Sequence, residues 1–393
     1  MDNTDNSLPK ILFADPSKSA GGPQQVGITI LKTLNQDKYH LILGSPIAEH
    51  PMATDIIEFR LSPEIYNIGR PKTFKEFFIN VLDFPMKVIS LSKFIRKHKI
   101  DLIHSNNEIC FTTSLAAKLT RTKHVIHVHG LGFHNTIFRY ILGKFINSSC
   151  DKIVAVSDAV AKKLIEIGIE EQKLLIFYNG IDTSTFKPTK KTRYVHTKFG
   201  LPKHRRLIAM ISALDPRKGH ELFINAAQYA IQHNHNIHFL IIGNHSPEQE
   251  NYKKHLINKV RELGLTDNFC FTGYQDNIPK ILNSIDLLIQ PSLTDAGPLV
   301  PLEAMSCGTP VIATNVGGNP EEILHGHTGI IIPANNPELL GQSIIKLIED
   351  QELINKMRHN GRKWIKSKFD STLLTDNIES MYDELLYTQK VAE

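Results

Sequence analysis

Short apolar runs alternate with amphipathic helical segments along most of the chain, and this alternation constrains the fold more than any other feature. The runs of the first half lie at residues 10–15, 39–43, 101–106, 123–129, 151–157 and 176–182, and those of the second half at 206–212, 237–243, 268–273, 286–292, 310–314 and 329–333. Apolar strands that alternate with helices are typical of parallel sheets covered on both faces. The pattern therefore predicts an α/β fold with two Rossmann-like, doubly wound domains.

The two halves are separated by a basic segment, 185–206, that has little strand pattern. We place the N-terminal domain at 1–188, the C-terminal domain at 189–370 and a C-terminal helix within 371–393. With 393 residues, the chain is long enough for a full hydrophobic core in each domain. Ligands of doubly wound sheets bind beyond the C-terminal ends of the strands. We therefore expect the two domains to face a cleft that holds the functional site.

Composition argues against several classes of function. No apolar run approaches the ~20 residues that a membrane-spanning helix needs, and the polar N-terminal residues do not resemble a signal peptide. Four cysteines lie far apart, without the spacing of a metal site, which suits a reducing cytosol. No aromatic and basic motif typical of nucleic-acid binding is found. We expect a cytoplasmic protein that binds neither a metal ion nor nucleic acid.

One basic stretch leaves two interpretations open. Between 84 and 99 the cations Lys87, Lys93, Arg96, Lys97 and Lys99 occur beside apolar residues. Such a helix can lie on an anionic membrane surface, which would place the protein at the inner face of a membrane. It can equally be an ordinary surface helix whose apolar residues face the core.

The segment after the strand at 286–292 carries the clearest chemistry. Asp295 falls in a loop, Gly297 allows a ligand to approach the backbone closely, and Pro298 precedes a helix expected to begin near Leu299. The N-terminus of that helix is a natural anion site. Glu303, about one turn in, is suited to accept hydrogen bonds from vicinal sugar hydroxyls. Alternatively, Asp295 caps the helix or loop and Glu303 is a surface residue.

The same segment, D-A-G-P-L-V-P-L-E followed by A-M-S-C-G-T-P-V-I-A-T-N-V-G-G-N-P-E, resembles the signature of glycosyltransferase family 4, which comprises retaining enzymes of the GT-B fold. The resemblance implies that Asp295 holds hydroxyls of the donor hexose and that Glu303 holds the nucleotide ribose. The family has glutamate where this chain has Asp295. The shorter side chain leaves the identity of the sugar open.

Other segments extend the resemblance over most of the chain. In A-L-D-P-R-K-G-H, Arg217 and Lys218 match the residues that bind the donor diphosphate, although an exposed basic turn is the alternative. Gly21 and Gly22 resemble the N-terminal glycine loop, or form an ordinary turn. His129 matches a histidine close to the donor hexose, or is a packed or capping histidine. Tyr274, in F-T-G-Y, matches the loop that contacts the nucleobase, and the helix at 371–393 resembles a terminal helix that crosses back to the first domain.

Together these features predict a retaining hexosyltransferase of polysaccharide biosynthesis. The predicted catalytic residues are His129, Arg217, Lys218 and Asp295, and the predicted donor-binding residues are Gly21, Gly22, Arg217, Lys218, Tyr274, Asp295, Gly297, Pro298, Leu299 and Glu303. The expected donor is a UDP-sugar, with GDP-mannose second, and the acceptor is a glycan, a lipid-linked molecule or another small molecule. Fixed cations perform the electrostatic role of a metal, so we expect no obligatory cofactor. A non-catalytic relative that binds nucleotide sugars and another GT-B enzyme, such as an epimerase, remain alternatives.

Overall fold

A computed structural model describes residues 8–16, 21–45, 74–107, 110–130, 136–190 and 192–387, and for 74–82 and 136–139 it describes the backbone alone. The chain forms two compact units, one of residues 1–180 together with 371–393 and one of residues 181–370. The chain first passes from the first unit to the second after Gly180. The expected boundary lay later, after residue 188. Residues beyond Gly180 are tied to the second unit, since the amide of Ile181 donates to the carbonyl of Phe369 at 2.8 Å.

The first unit contains a six-stranded parallel sheet with the order β2-β1-β3-β4-β5-β6. Its strands are β1 (Lys10–Ala14), β2 (His40–Gly44), β3 (Leu102–Ser105), β4 (Lys123–Val128), β5 (Lys152–Ala155) and β6 (Leu174–Ile176). The apolar residues of β1 and β3 are fully buried because helices cover both faces of the sheet. The last strand was expected at 176–182, but β6 spans Leu174–Ile176. Its neighbour β5 ends at Ala155, which pairs with Ile176, so the pairing ends there.

Helices connect these strands and the C-terminal helix closes the unit. They are α1 (Gly22–Thr33), α2 (Phe74–His98), α3 (Phe111–Thr120), α4 (Thr136–Ser149), α5 (Asp158–Glu166) and α14 (Ser371–Tyr387). Helix α14 packs beside α1, where the hydroxyls of Thr33 and Thr375 form a hydrogen bond. The hydroxyl of Tyr39 donates to Asp383 at 2.6 Å. The C-terminal helix is therefore part of the first unit.

Helix α2 includes the basic stretch singled out in the sequence. Its residues Val88, Leu91 and Ile95 are buried, as expected for a helix that faces a core, whereas Met86 and Ile89 are exposed. The cations at 93, 96 and 97 are exposed as well. One face of the helix thus packs in the core, and the other carries both apolar and basic side chains.

The second unit repeats the architecture, with the parallel order β12-β11-β10-β7-β8-β9. Its strands are β7 (Arg206–Ile211), β8 (Ile237–Ile242), β9 (Phe269–Gly273), β10 (Leu287–Gln290), β11 (Val311–Thr314) and β12 (Ile330–Ile332). Its helices are α6 (Tyr194–Phe199), α7 (His220–His233), α8 (Glu250–Glu262), α9 (Ile278–Leu282), α10 (Leu299–Ser306), α11 (Asn319–Glu322), α12 (Pro337–Glu349) and α13 (Gln351–Lys368). Each unit is therefore a doubly wound α/β domain, as the sequence predicted.

The strand orders fix where ligands can bind in each unit. The chain order reverses between β1 and β3 in the first sheet and between β7 and β10 in the second. In open α/β sheets, ligands bind at such switch points, outside the carboxyl ends of the strands. Ligand-binding residues are therefore expected after β7 and β10 in the second unit, and after β1, β3 and β4 in the first.

Candidate active site

Two loops meet at the switch point of the second unit. Gly219 follows β7 with a φ of +78°, and a Cβ there would lie 1.9 Å from the carbonyl oxygen of Pro291 after β10. The amide of Leu293 donates to the carbonyl of Arg217 at 2.8 Å. A side chain at Gly219 would force these loops apart, so the glycine is what allows the basic loop to lie against the acidic one.

This contact brings Lys218 to Asp295. The ammonium Nζ of Lys218 lies 2.6 Å from Oδ2 of Asp295, and the side chains are 28% and 12% exposed. Gln290 and Ser292 also donate to Oδ2, at 3.2 and 3.1 Å. Asp295 does not cap the helix that follows, which begins without a side-chain cap. The structure thus places two of the predicted residues, one cation and one anion, in direct contact.

Arg217 has its own acidic partner. Its guanidinium donates to both oxygens of Asp215, through Nε at 3.1 Å and Nη2 at 2.6 Å. These hydrogen bonds hold the pKa of the Asp215 carboxyl below its usual value. The side chain of Arg217 is nevertheless 70% exposed, so the guanidinium stays accessible to an anionic ligand.

Helix α10 begins at Leu299, with Pro298 as its N-cap residue. The first N–H groups of a helix have no partners inside it, and they carry partial positive charge. The preceding loop is packed tightly, because a Cβ on Gly318 would lie 2.5 Å from the carbonyl oxygen of Ala296. Gly297, Pro298 and Leu299 therefore lead directly into the N-terminus of α10, a type of position that favours anions.

Glu303 lies in the second turn of α10 and is partly buried. Burial raises the pKa of its carboxyl to about 7. Within the part of the chain that the structure describes, this carboxyl makes no hydrogen bond. Glu303 is therefore no ordinary surface residue.

Tyr274 lies apart from these residues. It follows β9 directly after Gly273 and is 66% exposed. Two strands, β7 and β8, separate β9 from β10 in the sheet. The structure therefore does not bring Tyr274 into contact with the Lys218–Asp295 pair.

The predicted residues of the first unit lie around the ends of β1, β3 and β4. Nε2 of His129 lies 2.8 Å from Oδ1 of Asn106, whose Nδ2 donates to the carbonyl of Pro23 at the start of α1. With this amide orientation, Nε2 carries the proton and Nδ1 of the neutral ring is an acceptor. Burial lowers the pKa of His129 to about 4. A neutral imidazole is thus held close to α1.

Gly21 and Gly22 stand at the exposed start of α1. Gly21 is the N-cap residue with extended backbone, and a Cβ on Gly22 would meet no atom within 4 Å. Neither the extended backbone of Gly21 nor the open space around Gly22 therefore requires a glycine.

A buried polar chain behind His129 was missed by sequence reasoning. The ring of His127 stacks on His129 with centroids 4.6 Å apart, and its Nδ1 lies 3.3 Å from Nε2 of His104. Nδ1 of His104 lies 2.6 Å from the hydroxyl of Tyr382 on α14. Burial lowers the pKa of His104 to about 3. These residues support the ring of His129 from the core side.

Two further polar residues of the second unit were missed. Gln290 ends β10 and is 2% exposed, and Glu322 of α11 is equally buried, with an Oε2 that has no described partner. Burial and the nearby charge of Asp295 raise the pKa of Glu322 well above its usual value. A polar residue at the end of an apolar strand was the available signal for Gln290, whereas nothing in the sequence marked Glu322.

Two negative findings apply to the described residues alone. Among them, no group of three or more His, Cys, Asp or Glu side chains could hold a metal ion. None of the helices seen there is long and apolar enough to cross a membrane.

Two family models match successive parts of the chain. The family model for glycosyltransferase family 4 matches residues 20–185, and the model for glycosyl transferases group 1 matches residues 193–364. The chain belongs to the family 4 type of GT-B glycosyltransferases.

Curated relatives of this glycosyltransferase have diverse names. One is the UDP-Gal:alpha-D-GlcNAc-diphosphoundecaprenol alpha-1,3-galactosyltransferase of Escherichia coli, 26% identical over 78% of this chain and 81% of the relative. Another is the N-acetyl-alpha-D-glucosaminyl L-malate synthase of Bacillus anthracis, 26% identical over 88% of this chain and 93% of the relative. The acceptors in these two names differ, so the family alone does not define the acceptor.

Among solved structures, HepE from Anabaena in complex with UDP and glucose superposes with a TM-score of 0.83. The two proteins are 22% identical, and the match covers 96% of this chain and all of HepE. The likeness confirms the predicted GT-B fold of the glycosyltransferase.

Proposed function

We propose that this glycosyltransferase moves a hexosyl residue from a nucleotide sugar to an acceptor, with retention of the anomeric configuration. The observation that carries the proposal is the arrangement in the second unit, where Lys218 is held on Asp295 just before the N-terminus of α10. Cations and a helix terminus together suit a diphosphate. The second unit would bind the donor and the first the acceptor.

Arg217 and Lys218 would act on the leaving group. When the anomeric bond breaks, negative charge develops on the nucleoside diphosphate, and fixed cations stabilise that charge more than they stabilise the ground state. The N–H groups at the start of α10 would add to this stabilisation. We infer that these groups suffice to stabilise the diphosphate, so that no divalent ion is obligatory and activity should survive a metal chelator.

Glu303 would hold the ribose. Its partly buried carboxyl lacks hydrogen-bond donors in the described structure, and two vicinal hydroxyls would provide them. Tyr274 is assigned to the nucleobase, and His129, Gly21 and Gly22 to the hexose and phosphates, on the family resemblance alone. In the retaining scheme implied by the family, a phosphate oxygen of the donor takes the proton of the acceptor, so no protein base is needed.

The donor is proposed to be a UDP-sugar, with GDP-mannose second. The Escherichia coli relative is named for UDP-galactose, and HepE is bound to UDP and glucose. A thermal-shift panel of UDP- and GDP-sugars tests the donor without knowledge of the acceptor. We expect one base to raise the melting temperature, and release of UDP or GDP with an acceptor extract to show transfer. Binding without release would favour a non-catalytic relative, and no binding would refute the donor site.

A lipid-linked acceptor at the inner face of a membrane is supported by α2. Met86 and Ile89 are 64% and 51% exposed on the helix that also carries exposed Lys93 and Lys97. Apolar and basic side chains together favour binding to an anionic bilayer. Anionic liposomes should retain the wild type and release the variant Lys93→Gln/Lys97→Gln.

The matched control neutralises two exposed lysines of α13, Lys356→Gln/Lys363→Gln. This change removes the same net charge from the other unit. If both double variants bind liposomes as the wild type does, α2 is not a membrane contact.

A further inference from the structure

The side chain of Asn106 connects two parts of the first unit that the sequence singled out, the ring of His129 and the start of α1. Asn106 follows β3 directly and is fully buried. Its Nδ2 donates to the carbonyl of Pro23 at 2.9 Å, and its Oδ1 lies 2.8 Å from Nε2 of His129. A carbonyl oxygen can only accept a hydrogen bond, so Pro23 determines which end of the amide faces the ring.

The amide in turn determines the state of His129. Because Oδ1 of Asn106 can only accept, Nε2 of the ring must carry the proton. Burial lowers the pKa of His129 to about 4, although the nearby charge of Asp15 acts in the other direction, so the ring is neutral at physiological pH and Nδ1 is an acceptor. Within the described part of the chain, Nδ1 makes no hydrogen bond, and the partly exposed ring is open to a ligand.

The neighbouring residues hold this arrangement in place. A Cβ on Gly27 of α1 would lie 2.7 Å from Nδ2 of Asn106, so the glycine makes room for the amide. The main-chain N–H of Asn106 donates to the carbonyl of Ala14 at 2.8 Å. The ring of His127 stacks on that of His129. A polar group that is oriented before the ligand arrives needs no reorganisation when the ligand binds.

We propose that Asn106 is a positioning residue of this glycosyltransferase, which keeps the proton on Nε2 of His129 so that Nδ1 accepts a hydrogen bond from a hydroxyl of the transferred hexose. The inference rests on the proposed function, in which His129 contacts the donor. A neutral acceptor nitrogen attracts a hydroxyl group, which can donate, and not an ionised phosphate oxygen, which can only accept. His129 therefore recognises the hexose and not the phosphates.

The first measurement needs no ligand. Nitrogen NMR of isotope-labelled histidine distinguishes a protonated ring nitrogen from an acceptor nitrogen, and the signals of His129 are assigned by their loss in His129→Gln. We expect the proton on Nε2 in the wild type. Asn106→Leu removes both polar ends of the side chain, so Nε2 faces an apolar group while Nδ1 can donate to water, and the proton should move to Nδ1. A proton on Nδ1 in the wild type, or unchanged signals in the variant, would overturn the inference.

The second measurement asks what the ring recognises. Donors that each lack one hexose hydroxyl are compared with the complete donor, as deoxy analogues of UDP-glucose if that is the donor. One analogue should lose about tenfold in kcat/KM with the wild type, because an oriented acceptor is left without a partner. With Asn106→Leu, the complete donor should lose a similar factor, and the additional loss for that analogue should largely disappear. A variant as active as the wild type, or equal losses for every analogue in both proteins, would contradict the role of Asn106.

Gly27→Ala supplies the test if Asn106→Leu fails to fold. Alanine is favoured over glycine inside a helix, and its Cβ would displace Nδ2 of Asn106, so we expect the same two changes at smaller size, and their absence would overturn the inference. Asn377→Leu, at an exposed position of α14, is the control and should alter neither measurement. If the wild type transfers no hexose, the proposed function fails and this inference with it. If the wild type transfers hexose and the variants match it, the inference alone fails.

Discussion

Replacement of Glu303 by glutamine should stabilise the unliganded protein at alkaline pH while it weakens donor binding. Burial raises the pKa of this carboxyl from 4.5 to about 7. Between these values the folded state keeps a proton that the unfolded state has released, so the free energy of unfolding falls as pH rises. A shift of this size corresponds to about 3 kcal/mol above pH 7. Because the carboxyl is only partly buried, we expect a gain of about 1–3 kcal/mol at pH 8.

The fluorescence of the single tryptophan of the chain can report this change in the stability of the second unit. Trp364 is partly buried in α13, and its indole N–H donates to the carbonyl of Glu322 at 2.9 Å. Urea unfolding followed by its fluorescence therefore reports on the domain that contains Glu303. The gain of Glu303→Gln should be largest at pH 8 and should fall below about 1 kcal/mol at pH 5, where the carboxyl is protonated in the native protein.

Glu349 provides the control, because it is exposed at the end of α12. Glu349→Gln should change neither stability nor donor affinity at either pH. The reasoning fails if Glu303→Gln is no more stable than the wild type at pH 8, or if the gain does not shrink at pH 5. It also fails in its functional part if the variant binds the nucleotide sugar as tightly as the wild type.

Three other predictions concern stability. Tyr382→Phe removes the hydroxyl that hydrogen-bonds to the buried imidazole of His104, and it should lower the free energy of unfolding by about 1–3 kcal/mol in thermal unfolding. The control Tyr387→Phe, at an exposed position on the same helix, should lower it by less than about 0.5 kcal/mol. Equal losses for the two variants would contradict the contact. Gly219→Ala places a Cβ at a residue with positive φ and against the carbonyl oxygen of Pro291, so it should lower the free energy of unfolding by about 3 kcal/mol or more. Gly264→Ala should lower it by about 1–2 kcal/mol, because Gly264 has a φ of +70° but its Cβ would meet no atom within 4 Å. Burial lowers the pKa values of His104, His124, His127 and His129. Because the unfolded state binds protons that these rings do not, the first unit should lose stability as the pH falls below about 6, by at most about 1.4 kcal/mol per histidine for each pH unit. Unchanged hydrogen-exchange protection of its strands between pH 7.5 and 5.5 would refute this.

The architecture could be predicted because it depends on local patterns. Each strand is a short apolar run next to a helical segment, and both sheets are buried on two faces, so the strands of the second unit were expected within one or two residues of their observed bounds. The start of α10 at Leu299 was also predictable, since a glycine and a proline precede it directly in the chain. The displaced β6 shows the limit of this reasoning, because its bounds depend on its neighbour β5.

The contacts within the candidate site could not be predicted, because they depend on packing between distant parts of the chain. Lys218 reaches Asp295 only because Gly219 lets one loop lie on another. The pKa of Glu303 depends on burial, which its sequence neighbours do not reveal. Tyr382 and His104 form a hydrogen bond although they are 278 residues apart in the chain. Sequence patterns identified residue types and strand ends, and tertiary contacts decided which of those residues are partners.

The first unit is assembled from two stretches of chain with the entire second unit between them. During synthesis, residues 181–370 emerge from the ribosome before Ser371–Tyr387, so the second unit has all of its strands while the first still lacks a helix. Until that helix arrives, Tyr39 has no Asp383 to bind. Domains usually mature from the N-terminus onward, but here the domain that begins first is completed last. A premature stop codon shortly after Asp370 would therefore damage the first unit, although the codons for residues 1–180 are unchanged.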